Sequence, residues 1–593
     1  MWQNRDNLFL EIIFKHSVKK IYFVVILFTL LIACKLFYLQ AIKRNYFAGI
    51  SENNRIHIYN EISPRGKIFA RQGEILVDNR LIYSIVLARF NYDLDILKES
   101  IRNLKNYLQF DIEKFLPTIT KLQSRTFETI YIAKDVPQSM YFELKENITH
   151  LPGVDVVSEP IRRYRLKFLS AHFLGYLSEI NSRELELLQF EGYRLGDLIG
   201  KNGIEKVYDE YLRGQDGRKR VEVNAKGRQI RILDEIKSKA GNDLYITIDY
   251  SLQKKAEELL LDKIGTIIAL DPMTGEVLAM ASSPGFDPLQ FYYPATLEQK
   301  SLFVDERHPM MNRAIQSQYA PGSVFKLITT IAALEEKTID KDFIINCEGK
   351  FYLKKGKRWF KCWKKEGHGK VNLKEALIHS CDVYYYMMGL KTGVANISKY
   401  ARMFGLGRHT GIDLPFEKDG LIADPEWKKK SFNTVWFPGD TVNMSIGQGY
   451  VLTTPLQIAN MTASVVNGGY LYRPYIVRKI LSEKGKTIFE NKPIVLRKIK
   501  VSGQTLDFVK QLMLGVVEQG TGRASRLRGI EVGGKTGTAE NPHGDDHAWF
   551  VAAAPIDNPK IVVCAFIENG GHGGSVAAPL VRRMLKTFFK NNN

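Results

Sequence analysis

The longest apolar run lies near the start of the chain, where residues 21–39 are almost unbroken aliphatic and aromatic side chains interrupted by Lys35. That is close to the roughly 20 residues a helix needs to cross a bilayer. Arg5, Lys15, Lys19 and Lys20 precede it. The positive-inside rule then places residues 1–20 in the cytoplasm, a transmembrane helix at 21–41 and the remainder outside, although Lys43 and Arg44 weaken the charge asymmetry. A cleaved signal and lipidation at Cys34, after Leu31-Ile32-Ala33, compete with a retained anchor. Both are disfavoured because the run continues past Cys34 and no small-residue cleavage site follows.

From residue 42 to about 240 the pattern is mixed and charged, with short elements and no repeat, and reads as a scaffold. Near Gly241 it changes: residues 244–249 alternate like a strand and 251–261 have helical spacing. Residues 265–270 and 276–280 flank a turn-rich connector and predict a hairpin. Strand-like segments return at 548–553 and 561–566, around a turn between Pro555 and Pro559, before a closing helix at 577–588. Strands at both ends of one domain with a helical middle predict an antiparallel sheet closed by distant segments. The expected architecture is an α+β domain over 241–593 on an elongated mixed α+β pedestal over 42–240.

With 593 residues, 45% hydrophobic and 25% charged, the chain can bury a full core. Its net charge of +20 implies an anionic setting. The basic residues are spread along the chain, with no arginine-rich tail and no aromatic–basic alternation of the kind that tracks single strands, so no nucleic acid partner is expected. Acidic phospholipid and an anionic wall polymer remain. Of five cysteines, Cys34 falls in the apolar run and Cys564 in a strand-like one, leaving Cys347, Cys362 and Cys381, an awkward number for disulfides.

Three segments carry chemistry. Ser323-Val324-Phe325-Lys326 follows the turn signal Ala320-Pro321-Gly322 and opens an apolar-periodic helix. A serine at a helix start has free backbone N–H groups nearby, and the lysine one turn on stands over the same face; burial favours its neutral amine, which can take the serine proton. Ser17-Val18-Lys19-Lys20 has the same spacing on the wrong side of the membrane, so this signal alone is weak. Ser380-Cys381-Asp382 follows a helical stretch and offers a hydroxyl for relaying a proton. Lys535-Thr536-Gly537-Thr538 lies in an extended segment where a terminal carboxylate can meet an ammonium and two hydroxyls beside a glycine. Lys391-Thr392-Gly393 repeats the triplet at the end of a helical stretch and reads as a helix C-terminal turn.

In this order the three segments resemble the Ser-x-x-Lys, Ser-x-Asn and Lys-Thr-Gly set shared by penicillin-binding proteins and serine β-lactamases. Ser445 to Gly449 and the pedestal's Pro64-Arg65-Gly66 extend the likeness to class B penicillin-binding proteins, although Ala70 stands where an aspartate is usual. Asp382 in place of asparagine and the insert between Asn346 and Lys370 point to the elongation and cell-shape branch of that class rather than the division branch. The resemblance implies a peptidoglycan D,D-transpeptidase inhibited by β-lactams, with carboxypeptidase activity as a side reaction. Ser323 would attack the D-Ala-D-Ala carbonyl of a stem peptide with Lys326 as base, and Ser380 would relay a proton to departing D-alanine. Lys535, Thr536, Gly537 and Thr538 would bind substrate, with the backbone N–H groups of Ser323 and Thr538 as oxyanion hole. Asp382 could accept from a substrate amide or pair with Lys326, which opposes base function.

The resemblance also implies a SEDS-family glycosyltransferase of the RodA type and MreC as partners at the inner membrane. Cys347, Cys362, His368 and Cys381 form a Cys3His set suited to structural zinc, with one disulfide or three buried thiols as alternatives. His543, His547 and His572 read as solvated loop residues. A β-lactamase has no use for an anchor or a pedestal, a β-lactam sensor needs more spans or an effector domain, and the pedestal is a poor match to a glycosyltransferase.

Overall fold

Along Gly265–Leu270 every side chain is buried, and alternate positions enter different cores: Ile267 and Ala269 one, Ile268 and Leu270 the other. The strand is therefore covered on both faces, which is why it reads as a continuous apolar run rather than an alternation. This computed structural model describes residues 3–47, 56–87, 94–107, 130–166, 168–194, 196–223, 229–293, 297–354 and 358–591. The strand belongs to a five-stranded sheet in the order Val277–Ser283, Gly265–Leu270, Ile561–Ile567, His547–Ala554, Gly533–Ala539, antiparallel throughout. Ile267 pairs with Ala565 across nearly 300 residues of sequence, as a sheet closed by distant segments requires. Gly533–Ala539 forms one edge.

Helices Tyr250–Leu260 and Ala577–Asn591 cover one face, with Leu252, Ala256, Leu580, Val581 and Met584 in its core. Pro455–Val466 lies in the core of the other face with all its side chains buried. Its polar residues can be buried because they are bonded, Thr462 and Ser464 to carbonyls of the helix itself and Asn460 to the Tyr472 carbonyl. Its start is set by a capping box, Thr454 accepting from the Gln457 N–H while the Gln457 side chain accepts from the Thr454 N–H.

The chain forms two compact units, residues 1–63, 81–160 and 215–239 in one, and 64–80, 161–214 and 240–593 in the other. Residues 42–240 thus contribute to both. The first unit contains a three-stranded antiparallel sheet of Ile56–Glu61, Gly217–Val223 and Gln229–Ile236, and a small separate core around Ile85, Leu97, Ile101, Ile132 and Leu144. Its N-terminal helix Gln3–Phe37 continues into a short π-helical turn, Tyr38–Ile42. Among the described residues, Val18–Ile42 is the one helical stretch long and apolar enough to cross a membrane, and its side chains are exposed from Lys19 to Tyr38. Such exposure of Ile, Val, Leu and Phe suits lipid rather than water.

In the second unit, Arg65 reaches Glu205 at 2.9 Å and Asp209 at 2.8 Å, while buried Arg162 meets the other oxygen of Glu205 at 2.8 Å. Arg162 also donates to the Gly66 carbonyl. A Cβ at Gly66 would lie 1.8 Å from the Asn242 carbonyl oxygen, so this glycine serves a close backbone approach. Glu205 holds two guanidinium groups in a buried place. Glu205→Ala would leave Arg162 without a carboxylate and Arg65 with Asp209 alone, and is expected to destabilise the unit by about 3–5 kcal/mol, seen as a lowered unfolding midpoint of the detergent-solubilised protein.

Candidate active site

The segment bearing Ser323 begins as a tight 3-10 turn, Gly322–Phe325, that leads into the buried helix Lys326–Glu335. Gly322 has φ +54°, donates its N–H to the Gly447 carbonyl at 3.0 Å, and leaves 2.5 Å between an added Cβ and the Thr538 carbonyl oxygen. Only a residue without a side chain lets the turn lie this close to the edge strand. Ser323, half-buried, therefore sits at a helix start beside the strand Gly533–Ala539. The two decoys lie elsewhere. Ser17 to Lys20 are part of the N-terminal helix, and Lys391-Thr392 ends the helix Asp382–Thr392 before Gly393 at φ +79°.

Ser380 occupies the turn between helices Leu373–Ile378 and Asp382–Thr392, itself in the left-handed region at φ +56°. Two fully buried lysines converge on its hydroxyl: Lys326 Nζ lies 3.2 Å and Lys535 Nζ 3.0 Å from Ser380 Oγ. Lys326 also donates to the Ser380 carbonyl at 3.0 Å and to Asp382 Oδ1 at 2.7 Å. The pairing of Asp382 with Lys326 is thus present. The second carboxylate oxygen, Oδ2, accepts from the Trp363 backbone N–H at 2.9 Å. Sequence reasoning missed this contact because a backbone donor leaves no trace in residue identity.

On the edge strand, Lys535 also donates to the Thr536 carbonyl, and the Thr536 hydroxyl meets that of Thr521 at 2.6 Å. Gln448 reaches the Thr538 carbonyl at 3.5 Å. Thr521 was also missed as part of the site, since nothing local distinguishes it from an ordinary loop residue, whereas Gln448 lies in the Ser445 to Gly449 segment that carries the family likeness, with no role assigned to it there. Gly537, opposite Trp549 in the register, lies close to the Pro321 carbonyl, so the nucleophile turn packs on the strand at the glycine of the motif. Burial, and then the charge of Lys326, push the Lys535 pKa well below its ordinary value, with Asp382 opposing. Among the described residues Lys535 has no carboxylate partner, so the cluster has a place for one more anion.

The insert beside this cluster gathers Cys347, Cys362, His368 and Cys381, their donor atoms all within 4.8 Å of one another. Residues 355–357 of the insert lie outside the described residues. His368 Nδ1 is 3.6 Å from both Cys347 Sγ and Cys362 Sγ. Bonds of about 2.3 Å to sulfur and about 2.0 Å to nitrogen at a tetrahedral ion put the two ligand atoms about 3.5 Å apart, so the residues fit such an ion. None of the cysteines is in a disulfide. The hydrogen bond between Cys381 and Cys362 lowers the Cys362 pKa and raises that of Cys381, favouring one thiolate, the form a metal takes. Cys564 is a buried strand residue whose thiol is pushed up by burial. Of the three histidines expected in solvated loops, His543 and His572 are exposed. His547 is a correction: it opens the strand His547–Ala554, is half-buried, and accepts from the Asn569 N–H at 3.1 Å, since the strand starts earlier than the apolar pattern.

The family model for the penicillin binding protein transpeptidase domain matches residues 265–586, and that for the penicillin-binding protein dimerisation domain matches residues 60–246. The chain belongs to the penicillin-binding protein family. It is 35% identical to the peptidoglycan D,D-transpeptidase MrdA of Acinetobacter baumannii, over 96% of this chain and 87% of that one. A solved complex between penicillin-binding protein PBP2 and MreC from Helicobacter pylori is similar at TM-score 0.80 and 29% identity, covering 91% of this chain and 100% of the other. A structure described as structural coordination of polymerization and crosslinking by a peptidoglycan synthase complex is similar at TM-score 0.71 and 30% identity, covering 97% and 98%. The five-stranded sheet, its edge strand and the nucleophile helix are the family's transpeptidase fold, whose catalysis uses no cofactor.

The lowered pKa of Lys535 sets the sign of a stability effect. Between its folded value and the unfolded value of about 10.4, the unfolded chain binds the additional proton, so stability rises with pH across that window; the charged form carries its full burial cost below the folded pKa. Lys535→Met removes this dependence. Unfolding midpoints measured as pH is raised are expected to show the parent gaining on the variant in the alkaline range.

Proposed function

We propose that this chain is the serine D,D-transpeptidase that cross-links wall stem peptides during cell elongation. The observation that carries the reading is the convergence of Lys326 and Lys535 on one hydroxyl, that of Ser380, beside the helix start bearing Ser323. A hydroxyl accepts two hydrogen bonds and donates one, so Ser380 can pass a proton between the lysines. A substrate's terminal carboxylate, seated against Lys535, Thr536 and Thr538, favours the ammonium form of Lys535. A proton moving from Lys326 through Ser380 to Lys535 then leaves Lys326 a neutral amine.

Ser323 Oγ attacks the carbonyl of the penultimate D-alanine, its proton passing to Lys326. The carbonyl carbon forms the ester bond and the C–N bond to the last D-alanine breaks, its nitrogen taking the proton. A neighbouring stem-peptide amine reverses these steps, forming the new amide and returning the proton to Ser323. Backbone N–H groups of Ser323 and Thr538 face the developing oxyanion, with Gly537 letting strand and turn lie close. Asp382, held by Trp363, accepts from the substrate's amide and releases Lys326 as it does so.

Cys347, Cys362, His368 and Cys381 would hold a structural zinc ion. When bound, the ion supplies structural cross-linking, tying Cys381, between Ser380 and Asp382, to the insert that carries Trp363. The apolar helix Val18–Ile42 anchors the chain once in the inner membrane, with the catalytic domain in the periplasm. MreC and a RodA-type glycosyltransferase are its partners, a reading supported by the assemblies reported for its structural neighbours. Asp382 and the insert support the elongation branch over division.

Incubation with fluorescent penicillin tests the chemistry: the parent is expected to form a long-lived adduct, Ser323→Ala none, and Ser380→Ala one that forms about 10²–10⁴-fold more slowly. An adduct on Ser323→Ala would overturn the assignment. For the metal, purified protein is expected to carry about one zinc per chain by elemental analysis, and chelation to lower the unfolding midpoint and slow acylation.

A further inference from the structure

Between residues 347 and 370 the insert carries nine lysines and arginines against two glutamates, with five aromatic residues among them. This local interleaving stands within a chain whose basic residues are otherwise spread along its length. Lys350–Leu353 pairs antiparallel with Arg358–Lys361, with Phe351 opposite Phe360, Tyr352 opposite Trp359 and Lys350 opposite Lys361. The pleat sorts these pairs. Phe351 and Phe360 point inward, their rings 6.0 and 5.7 Å from that of Tyr386. Tyr352 and Trp359 form the outer face, 4.8 Å apart between centroids and 41% and 55% exposed, with the Lys350 ammonium 5.0 Å from the Trp359 ring.

The outer face is not explained by the hairpin's own stability. Like charges facing each other across two strands destabilise the pairing, and although the Tyr352–Trp359 pair supports it, rings left 41% and 55% exposed forgo about half of their burial. Among the described residues Lys350, Arg358 and Lys361 form no ion pair with a carboxylate. A two-stranded sheet has little stability to spare for such features. An exposed aromatic pair, its rings tilted by 45° to each other and bordered by cations without carboxylate partners, is instead suited to a ligand with ring faces and carboxylates. The face is also continuous with the reaction centre: Trp363, whose N–H holds Asp382 at 2.9 Å, follows Trp359 by four residues, at most about 14 Å of extended chain.

We propose that this outer face binds the glycan strand of the wall, Tyr352 and Trp359 stacking on sugar rings and Lys350 and Lys361 pairing with stem-peptide carboxylates. The proposal rests on the reading of the chain as a wall transpeptidase and adds a second contact for the same polymer. A strand lying across the hairpin is held beside the cleft while its stem peptide reaches Ser323, so the surface favours polymeric over short peptide substrates.

The test uses the full-length protein in detergent and the variants Tyr352→Ala/Trp359→Ala and Lys350→Glu/Lys361→Glu, which leave the inward anchors in place. Binding is measured to soluble uncross-linked glycan strands bearing stem peptides and to phosphatidylglycerol vesicles, and acylation with fluorescent penicillin. Glycan affinity is expected to fall about tenfold or more in both variants, with acylation within about twofold of the parent because a small β-lactam reaches Ser323 without touching the hairpin. Unchanged glycan binding in both variants would overturn the proposal, as would loss of vesicle binding with glycan binding kept, which would assign the face to lipid. Failure of the parent to be acylated would instead sink the transpeptidase reading, while the glycan measurement still reads on the surface.

Discussion

Two lysines and an aspartate buried around a single serine hydroxyl are the constraint on which the rest of this structure turns. Charges removed from water are costly unless each is paired and hydrogen-bonded, and here Asp382 satisfies one ammonium, Lys326, and leaves Lys535 without a carboxylate. The imbalance matters chemically. Burial, and then the charge of Lys326, lower the affinity of Lys535 for its proton, with no paired carboxylate to restore it. Both lysines touch the same oxygen, that of Ser380.

Such a cluster needs a rigid surround, which the sheet provides. With both faces covered, four of its strands are locked into two cores, and Gly533–Ala539 pairs on one side only. An edge strand is normally a hazard, since unpaired backbone groups invite other chains. Here the nucleophile turn packs at Gly537, and Lys535 points into the charged cluster, so the edge is partly covered and chemically specific. The close approach of Gly322 to Thr538 fixes the spacing between the serine and the strand.

The insert adds a second layer of control from outside the sheet. Through Trp363 it holds the free oxygen of Asp382, and through Cys347, Cys362 and His368 it gathers around Cys381, one residue from both Ser380 and Asp382. A peripheral hairpin thereby bears directly on how firmly Asp382 grips Lys326. The same hairpin presents its aromatic and basic face outward, so the segment packed beside the site also carries the exposed Tyr352 and Trp359.

Much of this was legible in the sequence because it depends on local rules. The apolar run at residues 21–39, the hairpin around Gly275, the helix after Ser323 and the closing strands each follow from periodicity and turn chemistry within a few residues. The three motifs and the Cys3His set were visible as residue types in order. Tertiary structure decided which of them meet. That Lys535 shares Ser380 with Lys326 across 155 residues of chain, that Trp363 holds Asp382 by a backbone N–H, and that the aromatic and basic residues of the insert sort onto one outer face are consequences of packing and pleat. A residue's identity states what its side chain can do; its partners are set by distant segments that only the folded chain brings within hydrogen-bonding range.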